Sequence, residues 1–231
     1  SIPRQVLQKT FLAYQDNQFF HNLKHHVPFP FPPREIQQAV ALYHLGTVGQ
    51  GPLRGATTFP FINRKGTVRA IQVKQFDTTN HTRSTTFLHS YLTKQLHAKG
   101  RPLPQWLTHY WANERKVDCL FGEHLLQRFP AQPIGLVEAP KTAFYATLYF
   151  GIPQQPDQLL WLAVYNLSSL TLEKCKALQG RFVFLFPDLS RFVPERCRLP
   201  LVAGKSPTIQ SAHAPNHFQG IRSAGKPRLA G

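Results

Sequence analysis

Two short apolar runs in this chain each end in a carboxylate. Pro133–Val137 runs into Glu138, within PIGLVEAPKTA, and Phe182–Phe186 runs through Pro187 into Asp188, within RFVFLFPDLS. Runs of this length read as buried parallel strands. A carboxylate at the C-terminal end of such a strand stands where open α/β sheets bind ligands. Two of them on neighbouring strands have the chemistry to hold a divalent metal against a phosphate. Lys141 follows in the first turn of the next predicted helix, beside backbone N–H groups that favour an anion. Each acid also has a plain structural use: Glu138 can satisfy free helix N–H groups, and Asp188 can sit in a turn.

The elements that must position these residues follow a regular order. A helix is predicted over Ala139–Tyr149, a buried strand over Leu159–Ala163, and a helix over Leu170–Leu178 capped by Asn166–Ser169 and ended by Gly180. Strand, helix, strand, helix, strand is the signature of a parallel α/β sheet. Upstream, Ala56–Asp77 reads as a hairpin, TTFPFIN and TVRAIQVKQFD around a turn at RKG. Val68, Ala70, Gln72 and Lys74 share one face of its second strand; Arg69, Ile71, Val73 and Gln75 share the other. Pro33–Leu45 is predicted as a helix, with Pro33 in its first turn and Gly46 ending it. The glycine-rich stretch 47–55, with Arg54, lacks the GxxxxGK[ST] pattern and reads as a connector. Asp77–Ser84 reads as a polar loop carrying His81 and Arg83, Thr86–Ala98 as a helix, and Lys99–Gln105 as a linker. Trp106–Asn113 is aromatic, suited to core or interface packing and also to base stacking. Val117–Gln127 reads as a strand or turn, then Gly122 and a brief helix. The first twenty residues read as irregular, with one short strand. His21 and His25 have metal-ligand spacing. No acid or cysteine lies near, and Val27-Pro28 breaks any helix, so His21–His26 reads as a surface loop. Pro200–Gly231 reads as a basic disordered tail.

Composition narrows the partners. The chain has 231 residues, 27 Lys+Arg against 11 Asp+Glu, and a formal net charge of +16. Such a balance favours an anionic partner, with nucleic acid, and DNA in particular, expected first. Three scattered cysteines, Cys119, Cys175 and Cys197, form neither a disulfide framework nor a zinc module. No zinc site is evident, and a reducing, cytoplasmic setting is expected. No apolar run reaches membrane-span length, and no export leader is evident, so no membrane partner is expected. Methionine is missing throughout, including position 1, which suggests a processed chain or a piece of a longer one.

Four stretches in order carry a family resemblance. TTFPFINRKGTVRAIQV resembles the hairpin of DnaG-type bacterial primases. CLFGEHLL resembles the segment leading into their Toprim part. IGLVEAPKTA resembles the first Toprim motif, with its glutamate at Glu138, and RFVFLFPDLS the second, at Asp188. The chain also resembles primase-like proteins of Bacteroidota plasmids and mobile elements. The resemblance, over about 33–191, implies an α/β fold: a Toprim, Rossmann-like parallel sheet over 116–195, possessing acids at strand ends. It implies a smaller α+β primase-core-like subdomain over 1–115 before it, with the tail over 196–231. The implied function is that of a DNA-primase-like protein that binds nucleic acid and performs metal-dependent phosphodiester chemistry. Glu138 and Asp188 would hold Mg²⁺ or Mn²⁺, and Glu138 and Lys141 would be catalytic. Arg54, Arg69, Lys74, Arg83 and Lys141 would contact nucleic acid. The departures leave an alternative open, a catalytically degenerate Toprim module that only binds nucleic acid. Ser190 stands where a further acid belongs, Glu195 follows a proline, and Tyr165-Asn166 replaces the usual GT pair. Modules for zinc binding and helicase binding have no counterpart here. A Toprim nuclease would need a fuller set of acids.

Overall fold

A computed structural model of the chain describes residues 1–113 and 117–187. All of them lie in the unit that spans Ser1–Ser190. Asp188, Ser190, Glu195 and the predicted tail lie outside the described residues.

The fold is mixed α/β, built on two sheets. The first is antiparallel, in the order β1 (Gly46–Thr47), β2 (Thr57–Ile62), β3 (Val68–Phe76), β4 (Thr82–Phe87). The expected hairpin is β2–β3, running from Thr57 opposite Lys74 to Phe61 opposite Ala70. Pro60 is tolerated inside β2 because β1 covers only Thr57 and Thr58. The N–H that proline lacks would have pointed to an uncovered edge. The second sheet is parallel, with β5 (Ile134–Val137) between β6 (Leu160–Ala163) and β7 (Val183–Phe186). Helix α6 (Pro140–Phe150) makes the crossover from β5 to β6. All four residues of β5 are buried, as a central strand requires. Gly135 has no alternative there: a Cβ would lie 2.5 Å from the Trp161 ring.

One buried cluster runs through both sheets, taking in Phe59, Phe61, Ala70 and Phe76 from the first and Ile134, Leu136, Leu160 and Leu162 from the second. A smaller cluster on the other face of the first sheet gathers Ile62, Val68, Ile71 and Val73. Strand period separates Ala70 from Ile71 and Val73, but Val68, expected on the face of Ala70, joins the second set because the register shifts between Phe61 and Ile62. Helices α1 (Arg4–Gln8), α2 (Gln18–His25), α3 (Pro33–Tyr43), α4 (Leu88–Ala98), α5 (Gln105–Ala112) and α7 (Leu172–Cys175) complete the described elements, with 3-10 turns between them. Among the described residues no helix is long and apolar enough to cross a membrane.

Tyr43 is the joint between α3 and the parallel sheet. Its ring is fully buried and stacks on Phe121, with centroids 4.9 Å apart and planes 9° from parallel. Its hydroxyl donates to the Trp161 carbonyl at 2.7 Å and lies 2.7 Å from Thr147 Oγ1. Burial raises the Tyr43 pKa, which keeps the phenol protonated as the donor. Glu123 is a second joint. Its two carboxylate oxygens accept from Arg64 N at 3.1 Å, in the hairpin turn, and from Leu120 N at 3.0 Å.

Several local expectations need correction. His21–His26 is not a loop: α2 occupies Gln18–His25. Asn17 starts it by accepting from Phe19 N and Phe20 N, and Phe19, Phe20 and Leu23 bury one face. The polar loop after β3 is shorter than expected, because Thr82–Phe87 pairs with β3 as a strand. Threonine suits a half-buried pleated surface, and the sequence has three there. The first residues form α1 and a 3-10 turn at Tyr14–Asp16 instead of an irregular segment. Helix α3 is closed by His44 in a left-handed conformation, φ 55°, two residues before Gly46. The helix expected over Leu170–Leu178 is only one α-turn, capped by Thr171, and then a 3-10 turn at Lys176–Leu178.

Removing the Tyr43 hydroxyl leaves the buried Trp161 carbonyl without that donor. Tyr43→Phe is expected to cost about 1–3 kcal/mol, the penalty of a buried polar group left unpaired. Urea unfolding followed by tryptophan fluorescence checks this, and an unchanged midpoint contradicts the role assigned to Tyr43.

Candidate nucleic-acid interface at the end of β5

Glu138 is the residue after β5 and stands half-buried between that strand and α6. The apolar strand requires burial on both faces and so fixes where its last residue emerges. Ala139 is the N-cap of α6, and no side chain caps this helix; Pro140 occupies the first turn. The first N–H groups of α6 are thus not capped by a neighbouring Asp, Asn, Ser or Thr, and they contribute partial positive charge at this end.

Lys141 lies in that first turn. Its ammonium donates to the Asn80 carbonyl at 2.7 Å. It lies 5.2 Å from the Phe76 ring centroid and 6.0 Å from that of Tyr145. These partners satisfy the ammonium without cancelling its charge. Burial lowers the Lys141 pKa, and the charge of Asp77 pulls it back up.

Lys74 approaches from the other sheet. It stands near the end of β3, on the face that carries Ala70, Gln72 and Phe76. Burial lowers its pKa first, the Lys141 charge lowers it further, and the Glu138 carboxylate raises it. Lys74 is therefore close enough to feel the charges of Lys141 and Glu138, which follow β5 of the other sheet. With Asp77, whose charge acts on Lys141, and Arg83 beside it, the group holds three cations and two carboxylates.

The loop between β3 and β4 holds the arrangement together. Asp77 accepts at one oxygen from Thr79 N, Thr79 Oγ1 and His81 N, at 3.0, 2.8 and 2.9 Å. These bonds hold its carboxyl below the usual range. Its other oxygen lies 3.9 Å from Arg83 Nε. Asn80 adopts φ 65°, which an asparagine tolerates, and its side chain donates to the Tyr145 hydroxyl. Asn22 Nδ2 donates to the Asp77 carbonyl at 2.7 Å, tying the loop to α2 as well.

Of the residues expected to contact nucleic acid, Lys74 and Lys141 are thus brought together. Arg83 stands at the edge of the same loop and is exposed. Arg54 and Arg69 are engaged elsewhere. Arg54 donates twice to Asp16, and Arg69 pairs with Asp118 at 2.7 Å. Asn80, Asp77 and Tyr145 were not singled out from sequence. The Asp-Thr-Thr-Asn run was the available signal, since aspartate two residues before threonine favours this kind of turn. Among the described residues no group of three or more His, Cys, Asp or Glu side chains could hold a metal ion.

The class defined by these observations is a mixed α/β protein with a cationic cluster at the C-terminal end of a parallel sheet. The sequence model of the family described as Domain of unknown function (DUF6371) matches residues 17–189, and the chain belongs to that family. No curated protein and no solved structure matches it.

The lowered lysine pKa values have a measurable sign. Between each lowered value and the ordinary 10.5, the unfolded chain holds a proton that the folded chain has released. Stability conferred against these two charges therefore rises with pH through that window. Lys74→Met and Lys141→Met are each expected to flatten this rise relative to the parent chain in urea midpoints taken across alkaline pH. Parallel curves for parent and variants contradict the burial of these amines.

Proposed function

We propose that this protein binds nucleic acid, with the phosphate backbone held by Lys74 and Lys141 at the C-terminal end of β5. The observation that carries the reading is the meeting of these two lysines with Glu138 from separate sheets, on a chain of net charge +16. The half-buried Lys141 ammonium, which donates to a neutral carbonyl, is disposed to take an anionic partner. The uncapped start of α6 adds to this, since a helix N-terminus favours an anion by about 0.3–1 kcal/mol. A nucleic acid, rather than an isolated phosphate, accounts for the excess of positive charge over the whole chain.

A second reading, favoured by the place of Glu138 at the end of a parallel strand, adds chemistry to binding. In it the protein is a primase-like member of the Toprim group from a mobile element, acting on phosphodiester bonds. Glu138 would hold a single Mg²⁺ or Mn²⁺ together with substrate phosphate, and Asp188, outside the described residues, would be its partner. Such an ion supplies Lewis-acid stabilisation of charge on a phosphoryl oxygen. Lys141 and Lys74 would then orient the phosphate, and Glu138 would accept a proton at the reacting hydroxyl.

Both readings are tested on the full chain. Binding of single-stranded DNA, followed by fluorescence anisotropy, is expected to weaken steeply with salt. Lys74→Ala and Lys141→Ala should each reduce the slope of log K against log salt by about 0.7 per lost phosphate contact. Unchanged slopes in both variants contradict the site. For the second reading, Mn²⁺-dependent nucleotide incorporation is expected to be lost in Glu138→Gln while DNA binding persists. Incorporation that survives this change, or is missing from the parent chain, leaves binding alone.

A further inference from the structure

Helix α2 and its C-cap carry three histidines, His21, His25 and His26, and all three are exposed. His21 and His25 stand one turn apart on the same helix face. The His21 ring centroid lies 4.8 Å from that of His25 and 4.9 Å from that of His26. Phe19, Phe20 and Leu23 bury the other side of the helix and so hold the three rings at the surface.

This trio adjoins the loop that receives Lys141. His26 Nδ1 lies 3.0 Å from the Thr78 carbonyl, which can only accept, so Nδ1 carries the hydrogen and Nε2 is the nitrogen that titrates. Asn22, within α2, donates to the Asp77 carbonyl of the same loop. Thr78 is two residues from Asn80, whose carbonyl takes the Lys141 ammonium. Two residues span about 7 Å at full extension. The exposed rings and the lysine cluster therefore border one short stretch of backbone.

The charges around the trio are one-sided. Lys24 belongs to α2 itself and is exposed. The acids on neighbouring elements are Asp16, Glu35 and Asp77. Arg54 holds Asp16, the loop's own donors and Arg83 engage Asp77, and Glu35 follows Arg34 in the first turn of α3. His81 of the loop and Lys74 of β3 add no negative charge. The charges that act on His21 are those of His25, His26 and Lys24, and none is acidic. What desolvation it has, and then these three charges, lower the His21 pKa.

Histidine ordinarily titrates near pH ~6.5, so neutral rings become cations as pH falls through that region. Three positive rings this close repel one another. An anion laid across them offsets the repulsion. Protonation and anion binding then favour each other, and by linkage the anion binds more tightly as pH falls. Phosphate matches the trio, because its oxygens accept from several charged donors at once. We propose that His21, His25 and His26 form a pH-gated extension of the nucleic-acid interface, a second anchor that takes backbone phosphates once these rings are protonated. The inference rests on the nucleic-acid reading given above, in which the strand passes the start of α6.

The test uses the full chain and oligothymidylate, whose bases do not titrate in this range, in buffers containing EDTA. Fluorescence anisotropy is expected to show affinity rising about tenfold or more between about pH 8 and about pH 5.5. The slope of log K against log salt should steepen by about 0.7 for each phosphate gained. Combining His21→Gln, His25→Gln and His26→Gln should abolish the gain. His97→Gln, at an exposed histidine in the last turn of α4, should keep it. Isothermal titration at about pH 6 in two buffers of different ionisation heat should show proton uptake by the parent chain and none by the triple variant. Three results overturn the inference: no gain on acidification, a gain that the triple variant keeps, or equal proton uptake when inorganic phosphate replaces the oligonucleotide. The Lys74→Ala and Lys141→Ala slopes at about pH 8, where the rings are neutral, judge the nucleic-acid reading separately.

Discussion

The candidate site depends on the hydrogen bond from the Lys141 ammonium to the Asn80 carbonyl. Through it a helix of the parallel sheet is tied to a loop of the antiparallel sheet. A half-buried ammonium is normally costly unless it is paired with an acid. Here the carbonyl and the faces of Phe76 and Tyr145 meet its needs instead. The donor is satisfied and the charge is not cancelled. Asp77, the acid whose charge Lys141 feels, is already occupied by Thr79 and His81. Lys74 adds a second positive charge where burial already disfavours one. These two amines, which feel the carboxylates Glu138 and Asp77, are the groups on which the proposed anion site rests.

That arrangement needs both sheets to hold their places. The shared core supplies most of the attachment, with phenylalanines of β2 and β3 packed in one cluster with the apolar residues of β5 and β6. Polar joints fix the geometry that apolar packing leaves open. Tyr43 holds the backbone of β6 through Trp161, and Glu123 holds the tip of the β2–β3 hairpin through Arg64. Glu123 carries a raised pKa because burial outweighs the two backbone donors. It acts as a buried bracket within the CLFGEHLL stretch.

Much of this was legible in the sequence for a simple reason. Four-residue apolar runs such as Ile134–Val137 and Leu160–Ala163 suit buried strands, and the helix between them begins at a proline, which suits a first helical turn. Glu138 and Lys141 could therefore be placed at a strand end and a helix start. The hairpin was equally clear, because its turn at Arg64–Gly66 separates two β-rich runs. What the sequence hid were contacts that join distant positions. Lys141 and Asn80 are 61 residues apart, and nothing in the local pattern links them. Helix α2 was obscured by its histidines and the prolines that follow, although Asn17 and the spacing of Phe19, Phe20 and Leu23 were sufficient to form it. Strand β4 was obscured because Thr82–Thr86 is polar, and only its pairing with β3 makes it a strand. Arg54 and Arg69 looked free in the sequence and are held by Asp16 and Asp118 in the fold.

The central claim is that an anionic strand lies across the meeting point of β3, the β3–β4 loop and the start of α6. Chemical-shift mapping of the isotope-labelled chain with a short oligothymidylate tests it most directly. The account predicts that the backbone amides of Lys74, Asn80, Glu138 and Lys141 shift together and saturate on one binding curve. Saturable binding that leaves these four amides unmoved, with shifts gathered around Arg54 or Arg69 instead, would contradict it.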